Sequence, residues 1–288
     1  MRRSRSFRVL VLLLALAASM VALVGAGPGP GRPTPGGPPD GRPQVTIPDD
    51  AVEVAPGVFY LGTAVDKGRV VEGYAFVRYE KGFAKPADKP GKPAPDDSEC
   101  YGFLAKGAKW KEVEDYIVNP ANTGGLDETF VVDNLAKDVA KWETVAGVEI
   151  LGEGSPTDKL LEADLKEMDD ENEVYFGDID IERAIAVTII WGYFRGPPSG
   201  RELIEWDQVY DDADFDWSAD CEAEGEDCTL KMDFENIATH ELGHSVGLKD
   251  LYSDKCSEQT MFGYADYGEI TKRDLADGDI AGVAELYK

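Results

Sequence analysis

His240-Glu241-Leu242-Gly243-His244-Ser245-Val246-Gly247-Leu248-Lys249-Asp250 is the stretch around which this chain folds. Histidines four apart on a helix leave the same face, one turn apart. Two imidazole nitrogens so placed can share one zinc ion at about 2.0–2.1 Å each. Glu241, beside His240, is angled to reach a metal-bound water rather than the metal. Gly247 can take positive φ and turn the chain back beneath the metal. Asp250 then arrives three residues later with a carboxylate oxygen, a hard donor that zinc accepts. Three protein ligands leave a fourth position for water, which is the open arrangement of a catalytic site. The chain has only two histidines, and both lie in this stretch. Two ordinary helix histidines would need that spacing to be a coincidence. A surface carboxylate after a helix is common, so a bland Asp250 stays open as an alternative.

Outward from the motif, Asp233–Leu248 is expected as a helix with Asp233 as its N-cap. Ahead of it lie an acidic loop, Asp211–Asp227, and a strand, Leu203–Val209. Ala184–Phe194 is a β-branched run bounded by charge and by Gly196-Pro197-Pro198, expected as a buried strand. In Asp127–Val145 the period changes: Phe130, Leu135, Val139 and Trp142 recur at helical spacing, with Lys137, Asp138 and Lys141 facing out. Phe59–Thr63 and Val70–Tyr79 should form a hairpin through Asp66-Lys67-Gly68. Tyr101–Trp110 and Tyr116–Val118 look like further short strands, and Lys85–Pro95 like an exposed loop. A last helix is expected over about Asp274–Tyr287. Strands and helices around one sheet make an α+β fold.

The N-terminus reads differently. Arg2, Arg3, Arg5 and Arg8 precede a nearly pure apolar run, Val9–Val24, and then Gly25 and Ala26. This is the layout of a secretory signal peptide over residues 1–26, with an uncleaved outward-facing anchor as the alternative. Residues 27–43 are a Gly/Pro-rich linker. Residues 44–108 form a β-rich extension and a candidate pro-segment, and residues 109–288 the main domain. Net charge is −27, and removing the signal takes four arginines and no acid with it. Such a surface excludes nucleic acid and anionic membrane as partners. Asp207, Asp211, Asp212, Asp214 and Asp216 offer oxygens for a structural calcium ion, or form a solvated acidic loop. The four cysteines allow three pairings. A short acidic loop favours Cys221–Cys228, which leaves Cys100 to Cys256. A thiolate switch at Cys100 is the alternative.

The central stretch resembles the metzincin clan of zinc peptidases, in which a Gly precedes the third ligand. That clan usually carries His where this chain has Asp250, a departure that resembles the snapalysin-type variant. Glu258-Gln259-Thr260-Met261-Phe262-Gly263-Tyr264 resembles the clan's Met-turn. Trp142, Ile204–Asp207, Phe215–Trp217 and Asp279–Tyr287 resemble matrixin elements. The likeness covers about 109–288, and residues 44–108 match no family pattern. It implies a metzincin-like twisted, mostly parallel sheet with an active-site helix and a C-terminal helix. It further implies a zinc endopeptidase with Zn2+ on His240, His244 and Asp250, and Glu241 as general base. Tyr264 would be a hydrogen-bond donor to the oxyanion, or a packing residue. Expected partners are protein or peptide substrates, with the chain a monomer. A secreted metal-binding adhesion or interaction module without turnover is the alternative function.

Overall fold

The computed structural model describes residues 41–83 and 99–288. The signal-like segment 1–26, most of the linker and the Lys85–Pro95 loop lie outside the described residues. In chain order the elements are β1 (Gln44–Val45), β2 (Val52–Ala55), β3 (Val58–Asp66), β4 (Arg69–Glu80), β5 (Tyr116–Asn119) and α1 (Glu128–Ala146). There follow β6 (Gly154–Pro156), β7 (Glu173–Ile179), β8 (Ala184–Tyr193), β9 (Glu202–Asp211), β10 (Asp216–Ser218) and β11 (Lys231–Asp233). The chain closes with α2 (Phe234–Ser245), β12 (Tyr264–Ala265) and α3 (Asp277–Leu286). None of the described helices is long and apolar enough to cross a membrane.

The architecture is α+β, with a mixed ten-stranded sheet in the order β2-β3-β4-β8-β9-β7-β5-β6. β1 adds beside β7 and β12 beside β4. The parallel ladders expected from the sequence join β9, β7, β5 and β6. The other half, from β9 through β8, β4 and β3 to β2, is antiparallel. The hairpin forms as the sequence implies: Lys67 (φ 47°) and Gly68 (φ 79°) turn the chain between β3 and β4.

Period-2 alternation sorts the strands onto two faces. On β8, Ala186 and Ile190 meet the helices, while Val187, Ile189 and Trp191 fill the opposite core. On β4, Phe76 lies with the helix-side core and Val71, Ala75 and Val77 with the other. α1 begins where Asp127 accepts from the Phe130 N–H and ends at Gly147 in the left-handed region. Asp138 is not on its solvent face, as the periodicity suggested. It is buried, held by the Lys141 ammonium at 2.7 Å and the Asn134 amide at 2.7 Å. Tyr101–Trp110 is not a strand either, apart from an isolated bridge from Phe103 to Leu248. Its backbone serves the loop after α2: Leu104 N–H bonds Gly247 O at 3.0 Å, and Lys249 N–H bonds Gly102 O at 3.0 Å.

Candidate metal centre

α2 starts at Asp233, whose side chain accepts from the Asn236 N–H, and Arg273 Nε fixes that carboxylate at 2.8 Å. It ends at Ser245, short of the expected Leu248, because Gly247 adopts φ 107°, which no helix continues. A side chain at Gly247 would also press on Leu286 and the Ala108 carbonyl. The chain therefore doubles back, and Asp250 returns to the helix face that carries His240 and His244.

The three residues converge. Asp250 Oδ1 lies 3.2 Å from His240 Nε2 and 3.6 Å from His244 Nε2. A tetrahedral ion with donors at 2.0–2.1 Å has donor–donor edges of about 3.3 Å. The imidazoles are oriented by their other nitrogens: His240 Nδ1 donates to Thr260 O at 2.6 Å, and His244 Nδ1 to Leu248 O at 2.9 Å. Both Nε2 atoms thus turn toward one carboxylate oxygen of Asp250. That donor set fits a zinc ion. Burial and the Arg78 guanidinium push the His240 pKa down to about 3. Burial opposes protonation of His244, but Asp250 outweighs it and raises the pKa. Burial likewise opposes ionisation of Asp250, and the His244 and His240 rings overcome it, holding the carboxyl well below its usual range.

Glu241 is buried on the next position of α2, and Thr188 Oγ1 on β8 donates to its Oε2 at 2.6 Å. Its Oε1 has no hydrogen-bond partner among the described residues. Burial raises its pKa above the ordinary carboxylate value. Below the helix, Met261 packs its sulfur onto Gly243, between the two histidines, where any side chain would clash. Asp279 of α3 sets this turn by accepting from Thr260 N at 2.7 Å and Met261 N at 3.1 Å. Tyr264 sits on β12, half-buried, with its ring against Tyr252 and Phe262. Tyr252 Oη lies 3.2 Å from Asp250 Oδ2 and 2.7 Å from Pro56 O.

Four contributors escaped the sequence reading: Thr188, Tyr252, Asp279 and Arg78. The Arg78 guanidinium reaches the centre from β4, with Nη1 at 2.8 Å from His240 Nε2. A lone arginine in the apolar run Val70–Tyr79, in phase with Tyr74 and Phe76, was the signal available. Phe76 stacks on the His244 ring at 4.7 Å. The five aspartates considered for calcium do not converge. Asp211 accepts from the Ala213, Asp214 and Ile179 amides, and Asp212 from Thr123. Asp207 lies instead with Asp164 and Glu205, near enough to share an ion, and the Asp164 and Glu205 carboxyls hydrogen-bond each other. Both expected disulfides are present, Cys100–Cys256 and Cys221–Cys228, so Cys100 carries no free thiol.

Residues 198–288 match the family model described as Matrixin. Among solved structures the chain is similar to metalloproteinase-II from Bacteroides fragilis. The two are 10% identical, with 82% of this chain and 77% of that chain covered at a TM-score of 0.31. No curated protein matches the chain. The matched segment contains α2, the turn at Met261 and α3, and the match supports a zinc metallopeptidase.

Proposed function

We propose that this chain is a secreted zinc-dependent endopeptidase of metzincin type, with His240, His244 and Asp250 as ligands and Glu241 as general base. The observation that carries the reading is the convergence of two imidazole nitrogens on one carboxylate oxygen, at 3.2 and 3.6 Å, beside a buried glutamate. Zinc, when bound, would acidify a water and polarise the scissile carbonyl. Glu241 takes the water proton on Oε1, the oxygen without a partner, while Thr188 holds Oε2 still. It then returns that proton to the leaving amine. We assign Tyr264 as donor to the tetrahedral oxyanion. The sequence's lack of a third histidine supports a snapalysin-type aspartate as the third ligand.

Two disulfides fit an oxidising compartment, which supports secretion. Substrates would be proteins or peptides, met by a monomer. A cavity of ≈ 590 Å³ beside Asp250, lined by Tyr74, Phe103, Phe194 and Tyr252, offers room for an apolar side chain. A structural calcium ion would be held by Asp164, Glu205 and Asp207, whose oxygens lie near enough to share one. Metal analysis combined with chelator-sensitive cleavage of an unstructured protein tests the main reading. A zinc-loaded protein without cleavage would favour a binding module without turnover, and the complete burial of Glu241 is the observation on that side.

A further inference from the structure

The four residues of the centre are almost closed to solvent: His240 and Glu241 are 0% exposed, His244 2% and Asp250 5%. A scissile peptide bond has to stand beside these side chains, so the cover over them controls access. β4 is the main part of that cover. It pairs antiparallel with β8 from Glu72 opposite Gly192 to Tyr79 opposite Ala184. In that ladder Phe76 lies opposite Thr188, the partner of Glu241. Alternation along β4 points Phe76 and Arg78 toward α2. The Phe76 ring stacks on His244 with centroids 4.7 Å apart. The Arg78 guanidinium lies over the His240 ring face, with Nη1 2.7 Å from Nδ1 and 2.8 Å from Nε2. It is held there by the turn after Met261: Nη1 donates to Phe262 O at 2.5 Å and Nη2 to Tyr264 O at 3.2 Å. Tyr79 and Glu80 then pair with β12, and Lys81 N–H bonds Ala265 O at 2.8 Å. β4 therefore crosses the centre with β8 on one side and, at its end, β12 on the other.

An extended peptide adds to a sheet edge through main-chain hydrogen bonds. Without β2, β3 and β4, the edge at the centre would be β8. A peptide on that edge would lie one strand spacing, about 4.8 Å, from β8. It would pass Thr188 and Glu241 along the line that β4 now follows. We propose that β4 is an internal stand-in for substrate: it fills the β8 edge over the centre, so the chain is autoinhibited and cleaves only while β2, β3 and β4 are off β8. The proposal rests on the peptidase reading, and it accounts for the burial of Glu241 without giving up turnover. The Cys100–Cys256 bond does not hold this cover, because both cysteines follow β4 in the chain. A break between β4 and Cys100 would leave β2, β3 and β4 attached by noncovalent contacts alone.

Lys81 follows β4 directly and its side chain is 68% exposed, which makes it a site for limited cutting by trypsin. The zinc-loaded full chain is nicked there, trypsin is removed, and cleavage of an unstructured protein is compared before and after. Nicking should raise the rate at least about tenfold, because only the uncovered fraction can bind substrate. Val77→Cys with Val187→Cys is the second arm: the two positions face each other across β4 and β8, in the core away from α2. A disulfide between them pins β4, and the pinned chain should stay slow after nicking. Should that pair not fold, Ala75→Cys with Ile189→Cys takes its place on the same ladder. Equal rates before and after nicking, or a pinned chain as fast as the unpinned one, overturn the proposal and leave the peptidase reading standing. No cleavage by any form, nicked or intact, overturns both.

Discussion

Glu241 and Asp250 sit at the same centre and should fail in different ways. Glu241→Gln keeps the hydrogen bond from Thr188 and every proposed metal ligand, so zinc content and melting temperature should hold. Turnover should fall by at least about 100-fold, the usual scale for losing a general base. Near-normal cleavage by the zinc-loaded variant would show that another group takes the proton. Asp250→Ala removes one of three donors and should lower zinc affinity, whereas Asp250→Asn keeps an oxygen and should lower it less. Metal analysis separates the two. Full zinc occupancy in the alanine variant would place the third ligand elsewhere.

At the level of elements, the centre depends on how α2 rests on the turn at Met261. Gly243 faces the Met261 sulfur and the Trp142 ring, and Trp142 Nε1 bonds Thr239 O at 3.0 Å. Gly243→Ala would gain helix propensity but must push both neighbours apart. Propensity is worth about 1 kcal/mol. Overpacking costs about 1–3 kcal/mol, so the expected outcome in a urea titration is net destabilisation. The covalent frame is a second device of this scale. Cys100–Cys256 closes a separation of 156 residues and Cys221–Cys228 one of 7. Loop-closure entropy assigns them about 5 and about 2 kcal/mol. Cys100→Ser with Cys256→Ser should therefore cost far more than the other pair. The tether also keeps the chain around Cys100 joined to the segment bearing Met261, whatever happens nearer the N-terminus. Mass mapping of the unreduced protein should find that bond, and a mature N-terminus beyond Cys100 would refute the tether.

Across the whole molecule the carboxylates outnumber their partners, with 56 acids against 29 basic residues. Burial pushes Asp138, Glu173 and Asp211 up to about 7, Asp164 to about 6 and Glu205 to about 10. Unfolded, these groups would release their protons near pH 4. Between that pH and the raised values the folded chain holds more protons, so stability falls as pH rises through the window. The metal-free protein should melt higher at pH 5 than at pH 8, and thermal melts across that range measure it. A flat profile would mean that these carboxylates are ionised and paired. Calcium bound at Asp164, Glu205 and Asp207 should flatten the slope by holding their charged forms, which repeating the melts with added calcium checks.

The linear chain by itself marked out the proposed ligands and the helix that carries two of them. The spacing of His240, Glu241 and His244 has one geometric meaning on a helix, and Gly247 offered the turn back to Asp250, although the helix stops at Ser245 rather than at the expected Leu248. Asp233 as a cap, the hairpin at Lys67-Gly68, and the short Cys221–Cys228 loop were equally local, set by neighbours a few residues away. The tertiary structure alone decided the rest. Asp138 reads as solvent-facing by periodicity, yet Lys141 and Asn134 let it stay buried. Residues 101–110 have strand-like composition, but their backbone partners are in the loop after α2, about 145 residues away. Thr188, Asp279 and Arg78 come from a strand, a terminal helix and an extension that no local pattern links to the motif. Arg78 and His240 are 162 residues apart and meet because the register of β4 on β8 points that side chain at the helix. Register is a property of paired strands, and a shift of one residue would have turned Arg78 to the opposite core.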